Sequence, residues 1–232
     1  MALARGRQLP LNLRPRDDAT FGNYVAQPRV RPALSAVADP AEQLVFLHGP
    51  EGGGKSHLLQ AACHACSGMA LYLPLASISG LSPTTLLDGV EQLAMICIDD
   101  VQAVAGNPDW ERALFNLYNT VLTTDSRMLV TADTPPARLP TELPDLRSRL
   151  AAMLVYAIPT PNDAENREIL VLRARQRGLT MPPEVARYIT HRAGRSLPQL
   201  MSVLDQLDAA SLAHQRALSI PFVGQIMGWQ GV

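Results

Sequence analysis

Gly49-Pro50-Glu51-Gly52-Gly53-Gly54-Lys55-Ser56 is the stretch on which the reading of this chain turns. It fits G-x-x-x-x-G-K-[ST], a phosphate-binding loop. In such a loop glycines let successive backbone N–H groups converge on phosphates, the lysine reaches the β/γ oxygens, and the hydroxyl ligates Mg2+. Lys55 is the single lysine among 232 residues, against nineteen arginines. A composition that has otherwise gone over to arginine keeps a compact, mobile ammonium where a planar guanidinium is a poor substitute. The flanks agree. Leu44-Val45-Phe46-Leu47-His48 reads as a buried strand, and 56–65 reads as a helix whose N-terminus faces the anion. The chain is expected to bind a nucleoside di- or triphosphate.

Outward from the loop, apolar runs at 44–48, 69–73, 94–98, 127–131 and 153–158 read as strands buried on both faces. Helical segments fall near 55–66, 83–92, 109–123 and 145–151. Such alternation predicts an α/β fold, a parallel sheet with right-handed crossovers. After Pro159 and Pro161 the pattern is helical only. Asn162 or Asp163 can cap a helix running to Gly178, with Arg173, Arg175 and Arg177 near its end, as the helix dipole favours. A second helix is expected over 183–193. A third carries Leu197, Leu200, Met201, Leu204 and Leu207 as an apolar stripe, and a short one starts after Pro221. Residues 1–20, with Arg5, Arg7, Arg14 and Arg16 and no periodicity, read as a flexible tail.

Composition narrows the class. The 47% hydrophobic content supports a real core, and the formal charge is −1. No apolar run approaches the roughly 18 residues that span a membrane, and no secretory signal is visible, so a cytoplasmic location is expected. No stretch interleaves basic and aromatic residues, which argues against a large nucleic-acid footprint. Cys63 and Cys66 form a C-x-x-C, a spacing compatible with redox chemistry or half a zinc site. With no second pair, small buried helix residues are the better reading.

Further candidates follow the loop. Met95-Ile96-Cys97-Ile98-Asp99-Asp100 is an apolar strand ending in two carboxylates. Asp99 is placed to hold Mg2+ through water and Asp100 to polarise an attacking water. Leu129-Val130-Thr131-Ala132-Asp133 ends in a polar tip. Asp133 serves either as a γ-phosphate sensor between the two signatures or as a cap for the turn at Thr134-Pro135-Pro136. Arg147 and Arg149 flank Ser148 on a helix, where arginine is either a solvated face or a finger offered to a neighbour's nucleotide. A finger contributes roughly 10³ to 10⁵ in rate, around 4 to 7 kcal/mol of barrier.

Taken in order, Thr20-Phe21-Gly22-Asn23-Tyr24-Val25, Gly-Lys-Ser-His-Leu-Leu at 54–59, Ile-Asp-Asp-Val at 98–101, Thr-Ala-Asp-Thr-Pro-Pro at 131–136 and Asp-Leu-Arg-Ser-Arg-Leu at 145–150 resemble the AAA+ module of DnaA-type initiators. The resemblance runs from residue 17 to the end. The sequence stops after Ile220-Pro221-Phe222-Val223 without the initiators' helix-turn-helix. Between the second strand and Asp99 there is room for one helix, which leaves no place for a single-strand-gripping insert. What remains is similar to the Hda family, DnaA-related regulatory inactivators. Gln8-Leu9-Pro10-Leu11-Asn12-Leu13 resembles that family's sliding-clamp-binding peptide, and 204–211 with the closing Ile-Pro-Phe-Val resembles its lid.

The resemblance implies an AAA+ P-loop NTPase fold: a tail (1–16), a nucleotide-binding base (17–160) and a helical lid (161–232). It implies ADP or ATP as the cofactor with Mg2+. Phe21 and Tyr24 would lie near the base, and Gly49, Pro50, Glu51, Gly52, Gly53, Gly54, Lys55, Ser56 and His57 would cradle phosphates. Ser56 and Asp99 would serve the metal, Asp100 and Asp133 water and sensing, and Arg149 would be the finger. Gln8, Leu9, Leu11 and Leu13 would bind the DNA polymerase III sliding clamp (its beta subunit). The partners are then that clamp and DnaA, with DNA reached only through the clamp complex, no membrane, and room for a homo-oligomer. One position departs from the superfamily: its lid sensor arginine aligns with Pro198. Either Arg195 substitutes for that arginine or the lid has no sensor cation. The competing reading is a helicase-loader or transposition-type ATPase that turns over its own ATP. A small-molecule kinase would share only the loop.

Overall fold

A computed structural model describes residues 19–194 and 196–229. Five strands form where the apolar runs fall: β1 (Leu44–His48), β2 (Ala70–Pro74), β3 (Met95–Asp99), β4 (Arg127–Ala132) and β5 (Leu154–Ala157). All pair in parallel, in the order β2-β3-β4-β1-β5. Parallel neighbours need crossovers, and helices supply them. α1 (Arg31–Ala38) precedes the sheet, and the crossovers hold α2 (Lys55–Ala65), α3 (Leu75–Ile78), α4 (Pro83–Leu87), α5 (Pro108–Val121) and α6 (Pro144–Ala151).

Side chains alternate across the sheet and feed two cores. On β1, Phe46 joins Leu73, Ile96, Ile98, Trp110, Leu114 and Val130 on one face. Val45 and Leu47 point the other way, to Leu58, Leu59, Cys97 and Leu129. The strand order puts the ends of β3, β4 and β1 side by side, with Thr131 of β4 opposite Leu47 of β1. A loop after β1, a carboxylate pair after β3 and a polar tip after β4 therefore meet at one end of the sheet. Open α/β sheets bind ligands at that end.

Two expectations need correction, and one helix is new. β5 is not buried on both faces: it pairs only with β1 at the sheet's edge, and Leu154 and Val155 are 39% and 38% exposed. The 75–92 segment holds two short helices, α3 and α4, and a 3-10 turn at Val90–Gln92, not one helix. Gly89, at a left-handed φ of 72°, follows the end of α4 and separates it from that turn. α1 was not among the expected helices; its buried positions, Ala33, Ala36 and Val37, are small.

The remaining helices are α7 (Asp163–Gln176), α8 (Pro183–Arg192), α9 (Leu197–His214) and α10 (Ile220–Met227). Asn162 caps α7 through the N–H groups of Ala164 and Glu165, while Glu165 returns to the Asn162 N–H. These helices share a third core built on Leu170, Ile189, Leu200, Leu204, Leu207 and Phe222. Arg29 ties this unit to the sheet unit, donating to the Thr160 carbonyl at 3.1 Å and pairing with Glu165 at 2.5 Å. Among the described residues no helix is long and apolar enough to cross a membrane, and no cluster of His, Cys, Asp and Glu suits a metal. Cys63 and Cys66 are half-buried against the second core, and Cys97 is fully buried within it.

Candidate functional site

The phosphate loop is cramped enough to explain its glycines. Gly49 has φ 149°, and a Cβ there would stand 2.1 Å from the Ile158 carbonyl oxygen. Gly54, the N-cap of α2 at φ 93°, leaves room for Tyr24, whose ring carbon would lie 2.9 Å from an added Cβ. The helix that follows has no acidic residue in its first turn and no capping side chain, so its leading N–H groups face the cleft. Lys55 is 7% exposed and donates to the carbonyls of Gly49 at 2.7 Å and Pro50 at 3.1 Å. The mobile cation thus rests on the loop it serves. Burial and the neighbouring Lys55 charge both push the His48 pKa down, which keeps β1's tip from adding a second cation.

At the strand tips the carboxylates are held by hydroxyls. Asp99 is 2% exposed; Tyr72 donates to its Oδ2 at 2.5 Å and Thr131 to its Oδ1. Thr131 Oγ1 in turn accepts the Asp100 N–H at 2.9 Å. Asp100 adopts a left-handed backbone, φ 58° and ψ 53°, which turns it out of the strand. Burial raises its pKa, with the nearby Asp99 charge adding to the rise and a hydrogen bond from Gln102 at 3.0 Å opposing it. Gln102 Oε1 also accepts the Asp133 N–H at 3.2 Å. One amide therefore spaces the second acid of β3 from the tip of β4.

Two cavities open at this end. The smaller, about 160 Å³, is lined by Tyr24, Gly53, Gly54, His57, Ile169 and Arg173 among others. Burial, the larger influence, pushes the Tyr24 hydroxyl up to about 12, so it remains a donor and reaches the Gly53 carbonyl at 3.4 Å. Phe21 does not line this cavity; it packs against the apolar layer beside α2. The larger cavity, about 760 Å³, is lined by Glu51, Gly52, Lys55, Ser56, Asp100, Gln102 and Asp133 from the sheet unit and by Pro198, Ser202 and Asp205 from α9. Asp99 is buried and does not line this cavity. Arg195 and the tail residues Gln8, Leu9, Leu11 and Leu13 lie outside the described residues.

Arg147 and Arg149 part company. Arg147 turns inward and donates to the Thr141 hydroxyl at 3.1 Å and to the Thr141 carbonyl. Arg149 is exposed, lies over the Tyr118 ring at 5.7 Å, and lines neither cavity. The helix that carries it is pinned at its start. Glu111, 1% exposed, accepts the N–H groups of Gly106 at 2.7 Å, Glu142 at 3.0 Å and Leu143 at 2.7 Å. Sequence reasoning missed Tyr72, Gln102 and Glu111. Tyr72 gave no signal beyond its strand, and Glu111 resembled any acid in a helix's first turn; only Gln102, two residues past the acids, lay in reach of a motif reading.

Two family models match. One described as "Hda, lid domain" matches residues 163–227, and one described as "Bacterial DnaA ATPAse domain" matches residues 76–157. The fold is similar to domain III of the replication initiation protein DnaA of Thermotoga maritima, at 19% identity and TM-score 0.78, over 92% of this chain and 97% of that one. It is also similar to AMPPCP-bound DnaA of Aquifex aeolicus, at 18% identity and TM-score 0.69, over 85% and 67%. The Thermotoga maritima RuvB Holliday junction branch migration motor matches at 18% and 0.69, over 94% and 72%. The chain shares the overall fold of these structures, here a five-stranded parallel sheet followed by a C-terminal helical unit.

Proposed function

We propose that this chain, similar to an Hda lid domain over 163–227 and to a bacterial DnaA ATPase domain over 76–157, acts on the nucleotide of DnaA rather than on its own. ADP or ATP sits between base (17–160) and lid (161–232), its phosphates on Gly49 to His57 and its base beside Tyr24. The glycine cradle, the exposed helix N-terminus and the buried ammonium of Lys55 suit that ligand. Ser56 would ligate Mg2+ and Asp99 would hold it through water; the ion supplies charge neutralisation at the phosphates. Asp100 and Gln102 orient polar groups in the cleft, and Asp133, set apart from Asp100 by the Gln102 amide, serves as the sensor.

The tail, residues 1–16, docks on the DNA-loaded sliding clamp through Gln8, Leu9, Leu11 and Leu13. The AAA+ face then meets ATP-bound DnaA. There Arg149 neutralises charge on the phosphoryl group as water adds to phosphorus and the bond to the bridging oxygen breaks. Initiator left with ADP is inactive, so the output is negative regulation of replication initiation. The observation that carries this reading is the exposed Arg149 on a pinned helix, away from both of its own cavities. The intact acid pair favours a second reading, a loader-type ATPase that uses Asp100 on its own ATP. The test is phosphate release from ATP-bound DnaA with this protein, with and without clamp loaded on DNA. Clamp-dependent stimulation is expected; none in either condition would rule the reading out.

A further inference from the structure

Gly54, His57, Leu197 and Met201 line both cavities, so the two adjoin between base and lid. The lid contributes different chemistry at its two ends. At the phosphate end α9 offers Pro198, Met201, Ser202 and Asp205, no cation among the described residues. The Asp205 carboxylate is paired with Arg177 at 2.6 Å. The Pro198 ring lies close on the loop, its Cδ 3.1 Å from where a Gly52 Cβ would be. At the other end α7 offers Arg173. Its Nη2 stands 2.9 Å from His57 Nδ1, while His57 Nε2 meets the Thr20 carbonyl at 2.9 Å. With Nε2 donating to that carbonyl, Nδ1 is the acceptor for the guanidinium. Arg173 is thereby held beside the first turn of α2, whose leading N–H groups suit an anion.

We infer that Arg173 is a nucleotide contact of the lid, a cation on the ribose and α-phosphate side of the cleft, and that the described lid residues register a bound nucleotide but not its third phosphate. The inference rests on the nucleotide-binding reading above. Coulomb attraction falls with distance and with solvent between the charges. A third phosphate adds its charge at the end where, among the described residues, the lid lines the cleft with a proline ring and a carboxylate already paired. The α-phosphate, common to ADP and ATP, lies at the end where the lid presents a guanidinium.

The full chain is titrated with a fluorescent ADP analogue and Mg2+, then competed with ADP or ATP. Arg173→Ala should weaken both nucleotides by the same factor, about ten- to hundredfold for removal of one charged hydrogen bond, leaving the ADP-to-ATP ratio unchanged. Arg173→Lys, which keeps charge and bulk should Ala prove unstable, should weaken both nucleotides less. Pro198→Arg, placing a cation over the loop, should shift the ratio toward ATP. Unchanged affinities in both Arg173 variants, a loss confined to ATP, or an unmoved ratio in Pro198→Arg would overturn the inference. Wild-type protein that binds neither nucleotide would instead defeat the nucleotide-binding reading on which it stands.

Discussion

The sheet's ligand end and the outer face of α6 are built on opposite rules. At the ligand end the functional side chains cross-link one another: Lys55 to loop carbonyls, Asp99 to Tyr72 and Thr131, Asp100 to Gln102, and Gln102 to the tip of β4. On α6 the scaffold is fixed, by Glu111 below and Arg147 beside, yet Arg149 keeps its guanidinium in the open over one tyrosine ring. The first arrangement suits holding a ligand still; the second suits presenting a charge to something outside the chain. The difference separates nucleotide binding from output, and substitutions can be sorted by which side they strike.

The largest effect should come from the open side. Arg149→Ala should cut stimulation of DnaA's ATPase by about 10³-fold or more, with nucleotide affinity and melting temperature unchanged. Lysine there should restore little, because a point charge lacks the paired donors of the guanidinium. Replacing Gln8, Leu11 and Leu13 together by alanine should remove clamp binding, since two buried leucines are worth roughly 3 to 6 kcal/mol at most. Co-elution with clamp checks this, and nucleotide affinity should not move. Lys55→Ala strikes the holding side alone and should lower ADP affinity about a hundredfold, the scale of one charge-assisted hydrogen bond, as fluorescence titration would read.

Two smaller effects sharpen the boundary between the regions. Glu111→Ala strands three backbone donors and should cost about 2 to 3 kcal/mol in chemical denaturation. It should also lower stimulation by loosening α6, without changing ADP affinity. Asp100→Asn should raise the melting temperature slightly near neutral pH. Burial holds the folded carboxyl's pKa above its unfolded value, so the wild-type charge is carried at a cost above that range. As pH falls through the folded pKa the wild type takes up a proton, and the advantage of asparagine should fade. Asparagine also tolerates the left-handed backbone at this position, so the comparison isolates charge from strain.

Much of this was legible in the residues. The loop, the strand runs and the acid pair announced themselves because phosphate chemistry restricts which residue types serve, and because strands buried in a parallel sheet are apolar throughout. β5 misled because an edge strand carries the same apolar letters as a central one; its exposure follows from strand order, which lies beyond any window of sequence. The hydroxyl clamp on Asp99 joins Tyr72 and Thr131 across neighbouring strands, and the Glu111 brace joins α5 to the start of α6. Contacts at such separation leave no local pattern. The exposure of Arg149 beside a committed Arg147 is likewise a fact of packing, since the two read alike as letters.

The most direct test of the central claim loads the two proteins with different nucleotides. DnaA carries ATP labelled at the γ-phosphate, this chain carries unlabelled ADP, and label release is followed through a single turnover on clamp-loaded DNA. The account predicts rapid release with the wild type and with Asp100→Asn, and none above the DnaA background with Arg149→Ala. Release that survives Arg149→Ala, or that occurs only when the label is placed on this chain and vanishes with Asp100→Asn, would contradict it.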